Sequence, residues 1–313
     1  MKVLIITGPT GVGKSGFADR FAADVPCEII NIDVGQLYQP LTIGTAKPDW
    51  RSAAIPHHLF DLLDTPRNIS VTEYRGILKR LIDDIVRRGN LPILVGGSGF
   101  YINSLFFPPR TLITRNLDQP ILTTSEDNTH SLWDQLHAID PERAAQIHKN
   151  DRYRIERALD IWNMEKEKPS EFTPTFEPIA PAVIAFINRE RSELYNRINK
   201  RTVEMITEGW PEEVLDLMDT EWEEFLKQKK LIGYDDILNY FAQPKDEQNM
   251  DRLIEVIQKK TRHYAKRQCT YNTMLIKKLA AQDSSDILIQ DINLSLISAD
   301  LGKEKLMEAL QPK

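Results

Sequence analysis

The chain has 313 residues, 41% of them apolar and 27% charged, an ordinary balance for a soluble protein with a proper core and enough length for one large α/β domain plus a smaller one. No apolar run approaches the roughly 18 residues of a membrane span, the first strand leaves no room for a signal peptide, and the distant Cys27 and Cys269 exclude a disulfide framework and suit reduced thiols in the cytoplasm. A net charge of −6 argues against a nucleic-acid partner unless the basic residues gather on one face.

Val3 to Thr7 is aliphatic and β-branched and predicts a buried strand. The next eight residues, Gly8-Pro9-Thr10-Gly11-Val12-Gly13-Lys14-Ser15, fit G-x-x-x-x-G-K-[ST] between that strand and a helix. The glycines let the backbone curl with its N–H groups inward, the helix start adds a positive dipole end, Lys14 adds a charge, and the Ser15 hydroxyl can ligate a Mg²⁺ bridging two phosphates. After a short helix over Gly16 to Asp24, Glu28 to Ile32 predicts a second strand, placed next to the first and ending on Asp33. That carboxylate could be a metal ligand, a general base or a cap. A loop through Gly44 to Pro48 follows, then a short strand at His57 to Asp61, whose two histidines read as structural. Thr72 to Arg88 has helical spacing, with Tyr74, Leu78, Ile82 and Ile85 on one side. Pro92 to Val95 predicts a strand running into Gly96-Gly97-Ser98-Gly99, a weak motif that could simply be a tight turn but puts the Ser98 hydroxyl at the same sheet edge as Asp33.

Strands alternating with helices predict a P-loop-type parallel sheet covered on both faces, with ligands at the carboxyl ends of the strands. The expected division is a first core part over residues 1–109, a helical insertion over 110–181, and a return to the core over 182–313. Within the insertion, short helices are expected at Leu132 to Ile139, Pro141 to His148 and Arg152 to Asn163, and a Pro-containing linker at Pro169 to Pro181. Ala182 to Ile187 predicts a further strand; Glu190 to Thr207 and Pro211 to Phe225 predict helices. A shorter helix ends at Phe241, and a long one spans Asp251 to Leu279. The tail has a strand-like Ile287 to Ile289 and a terminal helix, and says nothing about function. Between Arg252 and Lys278 stand eight Lys/Arg against one acid, Glu255, a local +7 that leaves −13 for the rest of the chain. Bases mixed with an aromatic, as in Arg262-His263-Tyr264-Ala265-Lys266-Arg267, suit phosphate contacts with base stacking.

The succession of Gly8 to Ser15, Asn31 to Tyr38, Ile43-Gly44-Thr45-Ala46-Lys47-Pro48, Leu94 to Tyr101, Asn150 to Leu159, Arg197 to Arg201, Ile232-Gly233-Tyr234 and Thr261 to Gln268 resembles the bacterial tRNA dimethylallyltransferases over nearly the whole chain to about residue 275. The resemblance implies transfer of a dimethylallyl group from its diphosphate to the exocyclic amine of the adenosine 3′ of the anticodon, with Mg²⁺, in a cytoplasmic monomer. By that likeness the P-loop, Gly8 through Ser15, would hold the prenyl diphosphate. Asp33 would be the general base, Arg201 would lie near the diphosphate, and Asp33, Val34, Gly35, Gln36, Ser98 and Tyr153-Arg154-Ile155-Glu156-Arg157 would contact the tRNA anticodon stem-loop between core and insertion. Arg262, Lys266 and Arg267 add basic contacts. The sequence departs from the family in having Ser98 where threonine is usual and Val34-Gly35 where a serine-containing pair is commoner. The insertion is short, and Tyr271-Asn272-Thr273 follows the Lys-Arg-Gln run. The rival readings are a P-loop kinase of a small nucleotide, a prenyltransferase of free AMP and a nucleotide switch; the last lacks an Asn-Lys-x-Asp stretch.

Overall fold

Every residue of β1 (Val3–Thr7) is buried, as expected of an unbroken aliphatic run sheathed on both faces of a sheet. The structure, a computed structural model, describes residues 2–109 and 129–311; the expected start of the insertion at Arg110 lies outside the described residues. From β1 the chain continues through α1 (Lys14–Ala22), β2 (Cys27–Asn31), β3 (His57–His58), α2 (Val71–Arg87), β4 (Leu91–Gly96) and α3 (Gly99–Phe106). Next come α4 (Thr129–Ile139), α5 (Pro141–Ala145) and α6 (Arg152–Glu165), then β5 (Ala182–Asn188) and α7 (Arg191–Thr207). The chain ends with α8 (Trp210–Leu215), α9 (Glu221–Lys229), α10 (Tyr234–Phe241), α11 (Met250–Ala280), β6 (Ile287–Asn293) and α12 (Ala299–Leu310).

The six strands form one parallel sheet in the order β3-β2-β4-β1-β5-β6. β4 therefore lies between β1 and β2, which corrects the expectation that the strand ending at Asp33 adjoins the P-loop strand. The pairings Ile5 with Leu94 and Ile30 with Leu94 show β4 serving both neighbours. Leu4 and Ile6 pack with Phe17 and Phe21 of α1, Val183 of β5, Ile198 of α7 and Leu306 of α12. β6 pairs with β5 along seven positions, from Ala182 with Ile287 to Asn188 with Asn293, so the tail completes the sheet.

The chain divides into two compact units, Met1–Phe106 with Pro178–Lys313, and Phe107–Glu177. In the second, α4 to α6 enclose a small core of Leu136, Ala144, Ile147, Ile155, Ala158 and Leu159. There Asp140 caps α5 through the Arg143 N–H at 2.9 Å and also accepts the Ser170 N–H at 2.8 Å.

One helix expectation is corrected. Pro211 to Phe225 is not one helix: Asp219 adopts a left-handed φ of 58°, and Thr220 starts α9 by accepting the Trp222 N–H. Gly96 ends β4, and after Gly97 and Ser98 the chain enters α3 at Gly99, a helix whose sequence Gly-Phe-Tyr-Ile-Asn-Ser-Leu-Phe is so apolar and so largely buried that it carries little amphipathic period to read.

Candidate active site

At Gly13 the backbone takes φ 103°, a left-handed conformation that glycine tolerates, and α1 begins at Lys14. Two guanidiniums hold the outside of this loop. Arg197 Nε donates to the Gly11 carbonyl at 2.9 Å, and Arg189 Nε donates to the Val12 carbonyl at 2.8 Å. With these carbonyls anchored outward, the N–H groups of the following residues are left for an anion. The Val12 side chain itself is fully buried and contributes only its backbone.

Lys14 Nζ reaches back to the Gly8 and Pro9 carbonyls, each at 3.0 Å. Burial of its ammonium lowers the pKa to about 8; the Asp33 charge opposes that shift and Arg201 adds to it. Arg201 Nη2 donates to Thr10 Oγ1 at 2.9 Å, and burial lowers the guanidinium's pKa while Asp33 opposes. Asp33, Lys14 and Arg201, far apart in sequence, thus act on one another through a poorly solvated space.

Asp33 lies two residues past β2 and is held by its own turn. Its Oδ1 accepts the Gly35 N–H at 3.1 Å, and its N–H donates to Asn31 Oδ1 at 2.9 Å. Asn31 is in turn fixed through its Nδ2 to the carbonyls of Asp33 and Leu59, while the Tyr74 hydroxyl donates to the Asn31 carbonyl. The Ser98 hydroxyl accepts the Val34 N–H at 3.1 Å, joining the ends of β4 and β2. Gln36 donates to the carbonyls of Thr45 and Ala46 at 3.1 and 3.2 Å, so its amide positions a loop.

Two cavities open onto this centre. A polar one of 350 Å³ is lined by P-loop residues, Asp19, His57, Arg197 and Glu204; a larger one of 590 Å³ has Met205, Trp210, Ile232, Tyr264 and Tyr271 in its walls. They share Thr10, Lys14, Asp33, Thr45 and Arg201. One end of the space is polar and lined by the P-loop, the other is less polar and has aromatic walls, and Asp33 lines both.

Sequence reasoning overlooked three residues that build these walls. Glu213 of α8 accepts the backbone N–H groups of Thr42, Ile43 and Gly44 at 2.9, 2.6 and 3.2 Å and the Tyr234 hydroxyl at 2.7 Å. Trp210 packs so closely on Gly44 and Gly233 that a Cβ at either would overlap its ring. Gln268 of α11 accepts the Thr10 N–H at 2.8 Å and donates to the Gly97 carbonyl at 2.9 Å. Gln268 stands within a quoted motif, but nothing local marks an amide as a tie between two loops. His57 lines the smaller cavity, whereas His58 is bound to Glu28, whose carboxyl hydrogen bonds from Arg88 hold down to about 2.

The basic candidates separate. Arg267 is exposed, has its guanidinium 5.7 Å from the Tyr264 ring and lines the larger cavity, and Lys266 is exposed. Arg262 instead donates to Asn199 of α7. In the helical unit, Tyr153 is 74% exposed and Arg157 is exposed, while Arg154 pairs with Asp151 at 3.3 Å. Glu156 pairs with Arg152, and Ile155 is fully buried in that unit's core, which removes its side chain from the expected RNA-contacting set. No helix among the described residues is long and apolar enough to cross a membrane.

A family model described as IPP transferase matches residues 36–274. A tRNA dimethylallyltransferase of Pseudothermotoga lettingae is 39% identical over 269 residues, 85% of each chain, and one of Geobacter sulfurreducens is 38% identical over 282 residues, 86% of this chain and 88% of the other. Among solved structures, the tRNA delta(2)-isopentenylpyrophosphate transferase of Staphylococcus epidermidis aligns over 99% of both chains with a TM-score of 0.63 and 28% identity. A eukaryotic dimethylallyltransferase caught acting on tRNA aligns over 99% of this chain and 80% of its own with a TM-score of 0.75 and 25% identity. A P-loop, a carboxylate and a guanidinium facing one two-ended space, on a chain this similar throughout, make the protein a member of the IPP transferase family.

Proposed function

We propose that the protein transfers the dimethylallyl group of dimethylallyl diphosphate to N6 of the adenosine 3′-adjacent to the anticodon of tRNA, as a cytoplasmic monomer. The observation that carries this reading is the shared wall of Thr10, Lys14, Asp33 and Arg201 between a polar cavity lined by the P-loop and one with aromatic walls. In the reaction the bond between C1 of the prenyl group and the diphosphate oxygen breaks, a bond from C1 to N6 forms, and diphosphate leaves. The P-loop N–H groups from Gly11 to Ser15, with Lys14 and Arg201, bind the leaving diphosphate and take up its growing charge. Asp33, held by the Gly35 N–H, accepts the N6 proton as the new bond forms, which is worth about 10²–10⁴-fold. Tyr264 and Tyr271 offer ring faces to the adenine.

Mg²⁺ fits the residues present. Ser15 lines the polar cavity beside the P-loop, and its hydroxyl is an oxygen ligand of the kind this ion takes. Among the described residues no three acidic, His or Cys groups form a metal cage, so Ser15 would hold the ion together with the substrate's phosphates. When bound, the ion neutralises the departing diphosphate. Tyr153, Arg154 and Arg157 of the helical unit, proposed as residues 110–181, and Arg262, Lys266 and Arg267 of α11 supply RNA contacts, with Val34 to Gln36 and Ser98 at the mouth.

Incubation with tRNA, Mg²⁺ and prenyl-labelled dimethylallyl diphosphate tests this: label should enter the RNA with release of diphosphate and no use of ATP. Label in free AMP alone, or ATP turnover, would favour the adenylate prenyltransferase or the kinase instead.

A further inference from the structure

An adenosine that leaves the anticodon stack to reach a cavity deprives its neighbours of a stacking partner. The rim of the larger cavity carries an aromatic ring suited to that loss. Phe100, in the first turn of α3, is 59% exposed, although phenylalanine is a residue that folding ordinarily hides. It lines the larger cavity beside Arg267 and Tyr271. Its ring meets that of Tyr101 at 80° with centroids 6.5 Å apart, an edge-on contact that orients the ring while leaving it in solvent.

The surroundings select the same occupant. Tyr271 lies so close on the backbone of residue 99 that a Cβ there would overlap its ring, which brings the aromatic of α11 beside the first turn of α3. One turn further along α11, Met274 is 61% exposed. Lys278 Nζ reaches Asn103 Oδ1 of α3 at 3.4 Å, so cations stand at both ends of this apolar lip. A flat apolar surface between cations is the form that receives an unstacked base with its flanking phosphates.

We infer that Phe100 is the stacking platform for a nucleotide flanking the target adenosine, an inference that rests on the tRNA reading above. Phe100 replaces the stacking energy that the departing adenine takes with it, and so raises RNA affinity without touching the prenyl donor.

The test uses the full-length protein, a tRNA anticodon stem-loop and labelled dimethylallyl diphosphate. Phe100→Ala should raise KM for the RNA about ten-fold and leave KM for the donor and the melting temperature unchanged. Phe100→Trp should restore wild-type KM, whereas Phe100→Leu, apolar but without a ring face, should not. Removing the base of the 5′ or the 3′ neighbour of the adenosine should, at one of the two, cost wild-type protein as much as Phe100→Ala costs with intact RNA, and the two losses should not multiply. Unchanged KM in Phe100→Ala, or losses that multiply at both neighbours, overturns the inference. Absence of label with wild-type protein overturns the tRNA reading and this inference together, whereas label with an indifferent Phe100 overturns this inference alone.

Discussion

The carboxylate of Glu213 receives the Ile43 N–H at 2.6 Å, and with it the loop that forms the roof of both cavities is tied to a helix 170 positions away. The same group takes the N–H groups of Thr42 and Gly44 and the hydroxyl of Tyr234. A carboxylate can accept four such bonds, whereas an amide turned into this nest would face its own N–H against donors.

Glu213→Gln should therefore lower the melting temperature, by about 1 kcal/mol of stability for a part-buried donor left unsatisfied, and should reduce kcat because Thr45 of the same loop lines both cavities. Thermal unfolding and steady-state kinetics check this; an unchanged protein in both would show the loop to be held by other means.

Asp33→Asn keeps the shape of the turn and removes the proposed proton acceptor. Transfer should fall about 10²–10⁴-fold with RNA affinity near that of the wild type. Single-turnover transfer alongside RNA titration separates the two effects.

Lys14 has a folded pKa lowered to about 8 from 10.5 by burial. Between those values the unfolded chain binds more protons than the folded one, so stability of the substrate-free protein should rise as pH climbs from 8 to 10.5. Below pH 8 both states are charged and the burial cost is fully present, on the order of 2 kcal/mol once partial solvent access is allowed for. Lys14→Met should abolish this rise, melt no lower than wild type at neutral pH, and bind the prenyl diphosphate far more weakly. Wild-type affinity for the donor should itself weaken above pH 8 as the ammonium is lost.

Neutralising Arg262, Lys266 and Arg267 together should weaken RNA binding and reduce the slope of log K against log salt by about 2. Arg262 already donates to Asn199, so Lys266 and Arg267 should account for most of the change. Single variants titrated at several salt concentrations give the partition.

Arg189 joins the tail to the cradle. It donates to the Val12 carbonyl and to the Leu294 carbonyl, and pairs with Glu193, which accepts the Ser295 hydroxyl. Arg189→Ala should raise KM for dimethylallyl diphosphate about ten-fold, as a loop carbonyl loses a charged donor, and leave KM for RNA unchanged. Ser295→Ala, which removes the hydrogen bond to Glu193 and the acceptor of the Glu190 N–H but leaves the Arg189 bonds in place, should have the same sign and a smaller size.

What the sequence determined by itself was local. The strand, loop and helix from Val3 to Ala22 follow from an aliphatic run, glycines at fixed offsets and a lysine, all within one stretch of chain. Asp33 and Ser98 were legible for the same reason: each follows a short buried strand, and parallel strands put their carboxyl ends on one edge. The amphipathic spacing of α2 and α11 likewise needs no partner to be read. Tertiary structure alone decided that β4 lies between β1 and β2, because strand order depends on how crossover helices pack and not on any residue in the strands. It alone showed Glu213, Gln268 and Arg189 to be ties between loops, since a side chain's partner across more than a hundred residues leaves no pattern in its neighbours. It also sent Ile155 into a core and left Phe100 outside one. Both are apolar residues on helices, and only the packing of those helices tells which face is covered.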